Sequence, residues 1–180
     1  MLALRSIAPL ASLLTLTACV TTAPAPTALP EPEPIVLGLV RGAGEGSVPA
    51  SVRQALVEAL KARNLPVVST WEGGADAPRA TAGRVARLRE AAAGVGAPHL
   101  LLVEVEPAFY AQLDGRYRWT VSVEVRAGAG ADEGALQEES ATLPVFLRFD
   151  HQREDAALEA AGPELRRVAM RALDAYLSAR

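Results

Sequence analysis

One cysteine, two histidines and a single lysine are all that 180 residues hold of three reactive side-chain types. With Cys19 alone, no intramolecular disulfide supports the fold, and the core must hold by packing. His99, His151 and one thiol do not make the three or four ligands of a zinc site without carboxylates, so no metal is expected. A serine hydrolase needs a nucleophile, a base and an orienting acid brought together. The Asp150-His151 pair in "FDHQRED" is explained equally well by a solvated strand-to-helix turn, with Asp155 as a cap. Aromatic residues make up 4% of the chain, fewer than a glycosidase cleft is expected to carry, although Glu104, Glu106 and Glu124 supply the minimum pair of carboxylates. These three read instead as a solvated sheet surface, with Arg126 near enough to Glu104 to offset repulsion. There is no basic block to hold nucleic acid. The Gly-rich turn "RGAGEGS" lacks the lysine of a P-loop, and its Glu45 would repel a phosphate, so no nucleotide is expected.

The apolar run "IAPLASLLTL" covers about ten residues, too short to cross a bilayer as a helix, and follows a positive start at Arg5. It ends in Leu16-Thr17-Ala18-Cys19, which resembles the lipobox of bacterial lipoproteins: Leu three places before the cysteine and a small residue just before it. That resemblance implies cleavage before Cys19, a diacylglyceryl thioether on its sulfur and acylation of the new amino terminus. A thiolate is nucleophilic enough to take the lipid, and two or three acyl chains hold where one binds reversibly. Residues 1–18 are thus expected to be a signal peptide. Val20 stands where enteric inner-membrane retention signals carry Asp, which points to the outer membrane. Loss of residues 1–18 removes one arginine and no acid, leaving 17 basic and 21 acidic residues and a net charge of −4.

Residues 19–34 carry the lipidated cysteine and a proline-rich tether, "VTTAPAPTALPEPEP", extended and able to span some 40 Å. Residues 35–180 are enough for one domain. "PIVLGLV" reads as a strand buried on both faces. "SVRQALVEALKARN" reads as a helix with Ser51 and Gln54 in a capping box, and "LPVVSTW" as a second strand. A second helix runs over 81–95, ended by Gly94 and Gly96, with Val85, Leu88, Ala92 and Val95 on one face. "HLLLVEVEPAFYAQ" and "RYRWTVSVEVRAG" form a hairpin about Asp114-Gly115. Its turn sets Tyr110 opposite Trp119 and Gln112 opposite Tyr117. Carried to the base, this register mixes core valines with carboxylates, so a one-residue bulge is expected at Glu106-Pro107, bringing Val123 to Val105 and Val125 to Val103. "ALQEESATLPVFLRF" is a third strand, at an edge because of Pro144. A last helix begins near Arg153 and is interrupted at Gly162-Pro163. The order β-α-β-α-β-β-β-α predicts an α/β fold, a single mixed sheet with helices packed on it.

The stretch "AAAGVGAPHLLLVEVEP" and this element order resemble the small α/β domain of the curli-secretion lipoprotein, the lipoprotein activators of penicillin-binding proteins and the amino-terminal domain of the Tol-system periplasmic protein. The resemblance implies a non-catalytic docking or scaffolding module in an envelope assembly, with no cofactor beyond the lipid on Cys19. Its partners would be outer-membrane lipid and an envelope protein, and its address the periplasmic face of the outer membrane. The lipopolysaccharide-assembly lipoprotein, a lipid-handling alternative, usually lacks the second helix. An envelope hydrolase is the alternative from another class. Phe109, Tyr110, Tyr117 and Trp119, with Trp71 as an extension, are the candidate contact residues: Tyr110, Tyr117 and Trp119 on one face of the hairpin arm and Phe109 on the other.

Overall fold

The computed structural model describes residues 31–42, 46–74, 77–113, 116–130, 134–148 and 153–180, which belong to one unit, Glu31–Arg180. The lipobox, most of the tether, the Asp114-Gly115 turn and the Asp150-His151 pair lie outside them.

The element order is that expected: β1 (Ile35–Arg41), α1 (Ala50–Lys61), β2 (Val67–Gly73), α2 (Thr81–Val95), β3 (His99–Leu113), β4 (Arg116–Ala129), β5 (Gln137–Arg148) and α3 (Glu154–Ser178). The strands form one mixed sheet in the order β2-β1-β3-β4-β5, making an α/β fold. β1 is an interior strand parallel to both neighbours, which is why "IVLGLV" is apolar without alternation and buried throughout. The first crossover moves outward from β1 to β2 and the next moves back past β1 to β3. Right-handed crossovers in opposite directions put their helices on opposite faces. Accordingly Val52, Leu56 and Leu60 of α1 enter one core with Leu37, Leu101 and Val123. Val85, Leu88 and Ala92 of α2 enter a second with Val36, Val40, Leu100 and Leu102. Gly38 lets α2 approach, since a Cβ there would meet Leu88 and Leu102 at 3.0 Å.

α3 returns to the α1 face and covers β3, β4 and β5 with Leu158, Leu165, Val168 and Leu173. It runs unbroken through Gly162-Pro163, correcting the expected interruption. A proline removes one helical hydrogen bond, whereas the buried stripe on either side of it requires both halves on one axis. The capping box is also absent. Pro49 is the N-cap, and Ser51 lies inside α1 with its hydroxyl 3.3 Å from Glu159. α2 ends as expected at Gly96 in the left-handed region, φ 66°, but its Val95 is exposed.

The hairpin contains its one-residue shift, three positions further out than expected. Near the turn, Gln112 pairs with Tyr117 and Ala111 with Arg118. Inward of Tyr110 the register changes, so Phe109 pairs with Trp119, Val105 with Val123 and Val103 with Val125. Pro107 stays in the ladder opposite Val121, and Tyr110 is the extra residue. Proline lacks a donor only on one side of the strand, and here that side has no neighbour: β1 pairs with β3 only as far as Val105. β5 lies at the other edge, as Pro144 predicts, and accompanies β4 from Ala127 out to Arg116. The outer half of β3–β4–β5 is therefore a three-stranded arm extending past β1.

Candidate functional site: the three-stranded arm

Alternation along β4 divides the arm into two faces. Val121 and Val123 point to the α3 side with Trp119, whose side chain packs in the larger core at 7% exposure. Phe109 stands directly across from Trp119. Their rings meet edge to face at 5.5 Å, and Phe109 also lies 6.0 Å from Tyr117. Phe109 nonetheless remains 53% exposed. Its expected place on the opposite face from Trp119 is corrected, because the bulge falls after Phe109 and leaves its parity with Val105 intact. The buried indole N–H of Trp119 meets no acceptor among the described residues.

Tyr110, the bulged residue, does not face Trp119. Its ring lies on the other side, 4.8 Å from the guanidinium carbon of Arg118, and is 67% exposed. Phe146 of β5 pairs with Arg118 in the ladder and is 57% exposed. Trp71 does not extend this surface. It belongs to β2, at the opposite edge of the sheet, where it packs against the α2 core. Phe146 was missed because a phenylalanine in an alternating strand reads as core. Its parity, opposite to Val145 and Leu147, was the available signal.

The open face continues toward the base through Thr120 and Pro144, then Ser122 and Thr142, to a charged cluster. There Glu104 is buried, correcting its reading as a solvated carboxylate. Arg126 hydrogen-bonds it, and also holds Glu124 and Glu138 at 3.0 Å each. Arg84 of α2 lies against its other oxygen in an ion pair without hydrogen-bond alignment. The Arg126-Glu104 proximity is as expected. The arginine from α2 could not be seen in strand spacing.

At the far end of β3 from the arm's tip, His99 is fully buried. Its Nε2 bonds the carboxylate of Glu33, and the Tyr176 hydroxyl lies 3.3 Å from its Nδ1. A carboxylate accepts only, so Nε2–H donates and Nδ1 accepts from tyrosine in the neutral ring. The bond from His99 holds the Glu33 carboxyl below its ordinary range, and burial keeps the Tyr176 phenol above its own. Arg180 closes the group, 3.5 Å from Glu33. This clasp fixes the point where the chain enters the domain, and β3 places it about 45 Å from the arm's tip.

Among the described residues no three His, Cys, Asp or Glu side chains group as metal ligands, and no helix is long and apolar enough to cross a membrane. No family model and no curated protein matches the sequence. Solved structures to which the chain is similar include a PelC dodecamer from Paraburkholderia phytofirmans (15% identity, TM-score 0.46, covering 79% of this chain and 88% of that one). The hypothetical protein CT253 from Chlamydia trachomatis is another (13%, 0.46, 82% and 99%). A third is the lipoprotein GNA1162 from Neisseria meningitidis (14%, 0.40, 77% and 99%). The likeness to bacterial lipoproteins is distant.

Proposed function

We propose that this chain is a non-catalytic outer-membrane lipoprotein, anchored through Cys19 and facing the periplasm, that docks onto a cell-envelope assembly through its arm. Secretion, peptidoglycan-synthesis and Tol-like machineries are the assemblies its sequence resemblance suggests. The observation that carries the reading is the concentration of exposed aromatics: Phe109, Tyr110 and Phe146 all lie on the arm beyond β1. Exposed aromatic side chains of this kind dominate binding energies in protein interfaces. Tyr110 and Phe146 stand on the open side of the arm, while Phe109 leaves about half of its surface exposed beside Trp119.

In-cell cross-linking followed by affinity capture tests it, comparing the native protein with Cys19→Ser and Phe109→Ala/Tyr110→Ala. One dominant envelope partner, lost in the aromatic double variant and depleted in Cys19→Ser, is the expected result. A partner indifferent to Phe109 and Tyr110 would overturn the arm as the contact surface.

A further inference from the structure

Many arginines in the body of this domain are ion-paired at short range. Arg41, Arg53, Arg63, Arg84, Arg126 and Arg171 each lie against a carboxylate. The outer end of the open sheet face carries two that are not. Neither Arg118 nor Arg148 has a carboxylate partner among the described residues. Arg148 is exposed on β5, two positions along the same face from Phe146. The rows of Thr120 with Pro144 and Ser122 with Thr142 carry no charge, so the Glu124 row begins about 20 Å from Arg118.

Two aromatic rings frame these arginines. Tyr110 stacks on the Arg118 guanidinium, and Phe146 occupies the position across from it. The ring contact confines the guanidinium, whose buried Nε–H has no acceptor among the described residues, so Arg118 brings unsatisfied donor capacity to this surface. The surface also lies at the other end of β3 from Glu33.

We infer that the open face of the arm, with Arg118, Arg148, Tyr110 and Phe146, receives an extended, carboxylate-rich segment of a partner protein. The inference rests on the docking role proposed above. Charge supplies register and encounter rate, and the rings supply the apolar contact.

The full-length protein in detergent, titrated with a poly-L-glutamate oligomer and followed by amide chemical shifts, tests this directly. Shifts are expected at 108–111, 117–119 and 145–148, with affinity falling as salt rises. Arg118→Gln/Arg148→Gln, which keeps polar side chains on exposed strands, is expected to weaken binding about tenfold or more. Arg166→Gln/Arg167→Gln on α3 is expected to leave it unchanged. Shifts that map to α3, or affinity unaltered by the arm variant, would overturn the inference. So would binding to phosphatidylglycerol vesicles without binding to poly-glutamate, which would make the ligand a lipid surface. The captured partner separates the two claims. If it is lost with Phe109 and Tyr110 but retained in the Arg118/Arg148 variant, docking through the arm stands and the acidic segment falls. If it is retained in both, both fall.

Discussion

Trp119 and Tyr110 were read as facing partners, yet they do opposite jobs. The indole of Trp119 is packed between β4 and the α3 layer, so Trp119→Ala should destabilise the domain by about 3–5 kcal/mol in urea denaturation. Tyr110→Ala, on the water side of the bulge, should fall within about 0.5 kcal/mol of the native protein in the same measurement while weakening partner capture. Equal losses for the two would mean that Tyr110 is structural. Glu104 makes a comparable case in charge. Its side chain is 9% exposed between Arg84 and Arg126. Glu104→Gln leaves the enclosed Arg84 guanidinium without its counter-charge and takes one of three carboxylates from Arg126, and should cost about 3 kcal/mol. A stability unchanged by that substitution would show the cluster to be well hydrated.

α3 and the hairpin show why local signals misplace single features. Gly162-Pro163 is a helix breaker by propensity, but Ala161, Leu165, Val168 and Ala169 are buried on one line, and packing overrides the local cost. At Gly162 a Cβ would meet only Val52, at an ordinary 3.7 Å. Gly162→Ala is therefore expected to raise stability by about 0.5–1 kcal/mol, read from the thermal midpoint. The bulge was required by parity, since Val105 had to meet Val123. Its position was not, because any residue between Glu106 and Ala111 satisfies the same arithmetic. Tyr110 takes it on the outer arm, past the end of the β1–β3 pairing at Val105, where its side chain is exposed. The entry clasp gives a pH prediction at this scale. The Glu33 carboxyl is held below its ordinary range by His99, so the contact is intact above the usual carboxylate value of about 4 and is lost as pH falls through the lowered one. Hydrogen exchange at Ile35, whose N–H bonds Pro66 O at 3.0 Å, should lose protection over that fall. In Glu33→Gln the pH dependence should vanish.

For the whole molecule, the proposed anchor and the arm make separable contributions. Cys19→Ser should move the protein from the membrane to the soluble fraction and abolish metabolic labelling with palmitate, leaving the melting transition of the domain unchanged. A variant that stays on membranes would mean that another part of the chain binds them. A net charge of −3 opposes self-association through the exposed aromatic surface.

Period and punctuation determined the element order. Continuous apolar runs marked β1, the 3.6-residue stripe marked α1 and α2, and Gly96 and Pro144 marked an end and an edge, because these signals are written in neighbouring residues. The lipobox resemblance rests wholly on four consecutive side chains at 16–19. Tertiary structure alone decided which exposed positions share a surface. Arg84 reaches Glu104 from another element, Glu33 finds His99 and Tyr176 across the fold, and Phe146 comes to lie beside Arg118 and Tyr110. Each of these depends on strand order and on where one extra residue falls in β3. Both are settled by the sum of long-range packing rather than by any local preference.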